Sequence, residues 1–177
     1  LRDIRNDVRI PLILMGYLNP IMKFGFEAFC QKCVECGIDG VIIPDLPFKD
    51  YEETYKPIAD RYDIRVIMLI TPETSEARVR EIDEHTNGFI YMVSSAATTG
   101  AQKDFDSQKQ AYFKKIQDMH LRNPRMVGFG ISNKQTFDAA CANSSGAIIG
   151  SRFVTLLNEA EGDAEKAITQ LKENVGR

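Results

Sequence analysis

Six short, largely β-branched runs constrain this chain more than any other feature: VRIPLILMG, GVIIPD, RVIMLIT, FIYMVSS, MVGFGIS and GAIIGS. Most are apolar at consecutive positions. A half-exposed antiparallel strand alternates, whereas a strand covered on both faces does not, so the pattern predicts an interior parallel sheet. Between the runs, segments 24–36, 50–61, 75–85, 106–121, 133–142 and 153–172 space their apolar residues as helices do and close on Gly, Asn or Pro. The chain reads as a series of β-α units with right-handed crossovers. With 177 residues, 44% of them hydrophobic, it can bury a sizeable core, and no low-complexity tract or linker divides it, so one domain is expected.

Charge narrows the partners. A net charge of −3 and a pI near 5.5, without a Lys/Arg stripe, leave no electrostatic footprint for nucleic acid or an anionic membrane surface. A small molecule is the expected ligand. The longest apolar stretch, IPLILMGYL, is far short of the roughly 20 residues of a membrane span, and no basic-then-apolar leader opens the chain. A cytoplasmic protein is expected, with Cys30, Cys33, Cys36 and Cys141 reduced and no disulfide framework.

Three of these cysteines sit at intervals of three in FCQKCVECGIDG, the rhythm of an iron–sulfur loop. Helical periodicity accounts for them better. Phe26, Phe29, Cys30, Cys33 and Val34 fall at i, i+3, i+4, i+7 and i+8, the stripe of an amphipathic helix stopped by Gly37. Cys30 and Cys33 are expected in the core, where a free thiol packs as a small hydrophobe, with Cys36 beside the helix end. His85 and His120 stand in polar helix ends outside any zinc spacing, so no metal is expected.

In parallel α/β folds the ligand lies beyond the carboxyl ends of the strands. The last two runs leave on Gly128-Phe129-Gly130-Ile131-Ser132 and Gly150-Ser151, glycine followed by serine at a helix start. Glycine lets backbone amides approach a phosphate, and the helix N-terminus adds free N–H groups and a positive dipole end. Eight-unit barrels commonly bind phosphate after their seventh and eighth strands. A single Gly-Ser turn is also an ordinary N-cap, but two in consecutive units, with Gly100 in the loop after FIYMVSS, favour a phosphate site. Asp45, stiffened by Pro44 and Pro47, stands at a strand exit as a candidate acid or as a simple cap.

PLILMGYLNPI, GVIIPDLP, YMVSSAATTGA, GFGIS and GAIIGSRFV, in this order and spacing, resemble the tryptophan synthase alpha family over essentially the whole chain. The resemblance implies a parallel (β/α)8 TIM barrel, of which residues 1–177 hold about six units, strands three to eight, as a single partial domain. It implies a lyase that splits indole-3-glycerol phosphate into indole and glyceraldehyde 3-phosphate. Indole would pass to a partner β subunit that carries pyridoxal phosphate, with no cofactor in this chain. By motif position, Gly100, Gly130, Gly150 and Ser151 would hold phosphate. Tyr17, Ile42, Leu69, Tyr91 and Phe129 would wall the indole side, and Thr99 would belong to the mobile closing loop. Ile42 and Leu69 are equally plain barrel filling, and Tyr17 and Phe129 could cap the barrel mouth. Tyr91 is the more informative, because a buried phenol usually needs a partner for its hydroxyl.

The departures matter as much. The Glu and Asp that the family uses as acid and base belong to its second β-α unit and the loop after it, and no motif here matches them. The chain opens on LRDIRNDVRI, without an initiator Met, as the tail of the helix before the third strand. A barrel of about 250 residues would leave roughly 70 to 90 residues upstream, so an amino-truncated subunit is expected, with little lyase activity of its own. AATTG replaces a more glycine-rich run in the closing loop. Six strands from an eight-strand barrel leave open edges, which recruit other strands. The chain is accordingly expected to flatten, to pair with a second copy or to require its missing piece; light scattering showing a monodisperse monomer, together with a closed barrel, would contradict this. Two other readings stand beside the lyase subunit: a catalytically silent phosphate-binding module that regulates a partner, and another phosphate-binding barrel such as a phosphoribosyl isomerase.

Overall fold

The structure, a computed structural model, describes residues 1, 3–94, 102–128 and 130–177, and of 102–106 the backbone only. The chain divides into two compact units, residues 1–69 with 76–90 and residues 70–75 with 91–177.

In the first unit β1 (Ile13–Met15), β2 (Gly40–Ile42) and β3 (Arg65–Ile67) form a parallel sheet in the order β1-β2-β3. Leu14 lies opposite Val41, and Val41 opposite Val66. β2 is buried at all three positions, as a strand covered on both faces should be. β1 is not: it ends the sheet, and Met15 at its exit is exposed.

The second sheet runs β4 (Leu69–Ile70), β5 (Ile90–Val93), β6 (Arg125–Gly128) and β7 (Gly146–Ala147) in sequence order, with β6 and β7 parallel. Among the described residues seven strands thus replace the six expected. RVIMLIT is one apolar run, but Ile67 pairs within the first sheet while Leu69 and Ile70 belong to the second, so the strand breaks at Met68. Hydrophobicity cannot show that break, because Met68 is as buried as its neighbours.

Helices depart from expectation where local chemistry intervenes. The helix expected over 24–36 begins at Phe26 as α2 (Phe26–Glu35), and an unexpected helix, α1 (Leu18–Phe24), precedes it; Gly25 divides the two, with a φ of 95° that is open to glycine and costly to other residues. α2 buries Phe26, Cys30 and Cys33 as its stripe predicts, while Val34 lies exposed on the flank. Burial pushes the Cys30 and Cys33 thiols up to about 11, which leaves them protonated and inert. Phe26 meets Tyr55 edge-on at 4.7 Å.

The helix expected at 50–61 runs as α3 (Phe48–Asp50), a π turn (Tyr51–Tyr55) and α4 (Lys56–Arg61). Pro57 explains the π turn: it has no N–H to donate and its ring would press on the carbonyl one turn back, so the ladder widens and Lys56 N–H reaches Tyr51 O instead. α5 (Glu76–His85) packs through Val79 and Ile82, and its last residue, His85, pairs with Glu52 of the π turn.

In the second unit come α6 (Gln102–Asp118), α7 (Lys134–Cys141), α8 (Ser151–Glu159) and α9 (Ala164–Val175). The helix expected at 153–172 is therefore two. Asp163 caps α9 by accepting from Lys166 N–H at 3.0 Å, and Leu156 and Ala160 of α8 pack on Ala167 of α9.

A polar staple fixes the start of the first unit. Arg5 donates to Gly37 O, to Ile10 O at 2.7 Å and to Val8 O, and it pairs with Asp39, which also accepts from Leu12 N–H at 2.7 Å. The Leu12 amide and then the Arg5 guanidinium hold the Asp39 carboxyl below its usual range. A lowered folded pKa stabilises above the unfolded value of about 3.9, and the contribution is lost as pH falls through the folded value. Asp39→Asn should cost a few tenths to about 1 kcal/mol at pH 7, because the side chain is partly exposed, and the difference from wild type should vanish toward pH 2 in urea titrations.

Candidate phosphate and substrate site

β6 and β7 are adjacent, and their register sets the geometry. Met126 lies opposite Gly146 and Val127 opposite Ala147, an offset that Ile148 N–H continues by donating to Val127 O at 2.7 Å. Gly130 and Gly150 each lie three residues along the chain beyond the last paired residues. Both are exposed.

The two helix starts beyond them differ. α7 caps itself: Asn133 Oδ1 accepts from Thr136 N–H at 2.9 Å, and Thr136 Oγ1 accepts from the Asn133 and Ser132 amides at 3.2 and 3.1 Å. The capping box thus occupies the Thr136 amide that the bare start of α8 leaves open at the equivalent place. α8 begins at Ser151 with Gly150 as N-cap, no side chain capping it and no acidic residue in its first turn. The first backbone bond closing this turn is Val154 N–H to Gly150 O at 3.2 Å. An uncapped, acid-free helix start presents free N–H groups and the positive dipole end, which is the arrangement an oxyanion needs. A side chain at Gly150 would meet nothing within 4 Å, so packing does not demand glycine there.

Tyr91 on β5 is buried, and burial raises its phenol above the ordinary value. Its ring lies against Gly128, where a Cβ would come within 2.5 Å of Tyr91 Cε1 and nearer still to Cζ and Oη. Glycine is required at 128 for that reason alone. Ser94, buried at the end of β5, donates its amide to Gly128 O at 3.2 Å, and its Oγ lies 3.9 Å from where a Cβ of Gly130 would be. Sequence reading placed Gly128 and Ser94 at strand exits but gave neither a role, because the contact of Gly128 with Tyr91 leaves no local trace.

The structure thus brings Gly130, Gly150, Ser151 and Tyr91 to the exits of β5, β6 and β7 in the second unit. Thr99, Gly100 and Phe129 lie outside the described residues. In the first unit, Ile42 is buried at the end of β2 and Tyr17 caps α1 with 68% of its surface exposed, while Leu69, half-buried, opens β4. Asp45 Oδ1 accepts from Leu18 N–H at 2.9 Å, so this carboxylate caps α1, the helix that sequence reading missed.

The profile of the tryptophan synthase alpha chain family matches residues 1–177. The chain belongs to that family. The tryptophan synthase alpha chain of Bacteroides fragilis is 79% identical over 172 residues, covering 97% of this chain and 65% of that protein. That of Bacteroides thetaiotaomicron is 77% identical over 173 residues, covering 98% and 67%. The chain thus spans about two thirds of the length of these tryptophan synthase alpha chains. Among solved structures, the tryptophan synthase A-subunit of Pyrococcus furiosus superimposes with a TM-score of 0.84 at 27% identity, over 98% of this chain and 69% of that one. The alpha chain of Legionella pneumophila gives 0.82 at 30% identity, over 98% and 64%. The expected fold class, the α/β TIM barrel of the tryptophan synthase alpha family, is borne out, and neither the regulatory module nor the phosphoribosyl isomerase is favoured. Among the described residues, no helix is long and apolar enough to cross a membrane.

Proposed function

We propose that this chain serves the cleavage of indole-3-glycerol phosphate into indole and glyceraldehyde 3-phosphate in tryptophan biosynthesis, and that its own share is to hold the substrate. The observation that carries this reading is the bare start of α8 beyond β7, beside the exit of β6 with which β7 pairs. In the reaction, a proton is delivered to the indole ring carbon that bears the side chain, a base takes the adjacent glycerol hydroxyl proton, and the carbon–carbon bond breaks to leave an aldehyde. Gly150 and Ser151, with Gly130 and Gly100, would anchor the phosphate. Tyr91, Ile42, Leu69, Tyr17 and Phe129 would line the ring side, and Thr99 would close over it. The acid and base are sought outside these 177 residues. The chain needs no cofactor of its own, and a β subunit with pyridoxal phosphate would take up the indole. Tyr17, Met22 and Phe24 leave large apolar surfaces exposed on and beside α1, which suits such a partner. A cytoplasmic setting suits four free cysteines.

Calorimetry with glycerol 3-phosphate tests the reading. Gly150→Val should weaken binding at least about tenfold by filling the cradle. Unfolding free energy should stay within about 0.5 kcal/mol, because the added side chain meets open space. Unchanged affinity would remove α8 from the site.

A further inference from the structure

We infer that the first unit carries a second ligand site, a cationic groove at the N-terminal ends of β2 and β3 that takes an aromatic carboxylate. The groove has a volume of about 570 Å³, within the range of small-molecule sites. Arg9 and Arg65 line it together with Val8, Val34, Ile38 and Tyr62.

The charges around it are unequal in what they have left to offer. Arg5 and Asp39 also border the groove, but each is consumed by the staple that holds residues 8–12 to the start of β2. Arg9 has no ion-pair partner among the described residues. Arg65 pairs with Asp63, at 3.4 Å from its Oδ1 and 3.3 Å from its carbonyl, and that carboxylate is 86% exposed, so water screens the pair; Arg65 also helps hold down the Asp39 carboxyl, which the Leu12 amide and Arg5 already engage more strongly. Two arginines therefore line one groove with donors to spare, and a guanidinium's planar fork suits a carboxylate. A neighbouring 310 Å³ cavity shares Asp63 and Arg65 but is neutralised internally by Lys56 and Asp60 at 2.6 Å. It offers no comparable excess of charge.

The apolar wall decides the rest of the ligand. Val34 is half exposed on its helix flank, off the stripe that α2 buries, and Ile38 and the Tyr62 ring continue the surface. A bare inorganic anion would leave that wall wet. A ligand with a planar apolar body and one carboxylate would cover it while pairing with Arg9 and Arg65.

Titration of the ¹⁵N-labelled 177-residue chain by NMR, with phenylacetate, 2-phenylethanol and inorganic phosphate as separate probes, tests this. Phenylacetate should saturate and shift the amides of Val8, Ile38 and Tyr62. Arg9→Gln and Arg65→Gln should each weaken it about tenfold or more, the worth of a charge-assisted hydrogen bond. 2-Phenylethanol should bind more weakly by a similar factor, and Gly150→Val should leave phenylacetate binding unchanged. Both arginines are exposed, so the variants should keep the wild-type dispersion of shifts; Arg9→Gln alone suffices if the other does not. Absence of saturable binding, equal affinity in Arg9→Gln, or phosphate binding as tightly as phenylacetate would overturn the inference.

Discussion

The purified 177-residue chain should cleave indole-3-glycerol phosphate at least about 10⁴-fold more slowly than the alpha chain of Bacteroides fragilis assayed beside it, since the function proposed above assigns neither acid nor base to these residues and each is worth about 10² to 10⁴. The reason lies in which groups the chain presents. Among the described strand exits the carboxylates are few: Asp45 is occupied in capping α1 through Leu18, and Glu73 follows β4. Binding and chemistry should therefore separate: glycerol 3-phosphate should still titrate into the chain while turnover is absent. Turnover within tenfold of that relative would show that an acid and a base stand among these residues.

Gly128→Val should destabilise the chain by about 3 kcal/mol, the upper range for forcing extra carbons into a packed core. The new side chain would overlap the Tyr91 ring at Cε1, Cζ and Oη together, so a simple rotamer change of Tyr91 about its terminal bonds cannot relieve it. Tyr91→Leu, which removes the outer ring atoms, should cost stability alone but recover part of the loss in the double variant. A coupling energy of about 1 to 3 kcal/mol in urea unfolding would be the signature of a direct contact. Strict additivity would mean that the two residues do not meet. Ligand affinity should follow the same cycle if Tyr91 walls the indole side.

Much of this was legible from residue patterns. The continuous apolarity of GVIIPD marked β2 as interior, and the i, i+3, i+4, i+7 spacing of Phe26, Phe29, Cys30 and Cys33 turned an apparent cluster loop into α2. The glycine-serine exits marked the ends of the last two strands. Other features left no local trace. α1 is short and begins without a capping side chain of its own; its cap arrives from Asp45, 27 positions away. The π turn needed the meaning of Pro57 within a helix, not the presence of a proline alone.

Sequence periodicity by itself determined the order of strands and helices, because burial on one or both faces writes a repeat into consecutive residues. Motif order added the family. Only the tertiary structure decided that RVIMLIT serves two sheets, that Gly128 exists to admit the Tyr91 ring, and that of two similar glycine-serine corners one helix start is capped by its own Asn133 while the other stays open. Those outcomes depend on which distant atoms come to share a few ångströms, and spacing along the chain does not encode that.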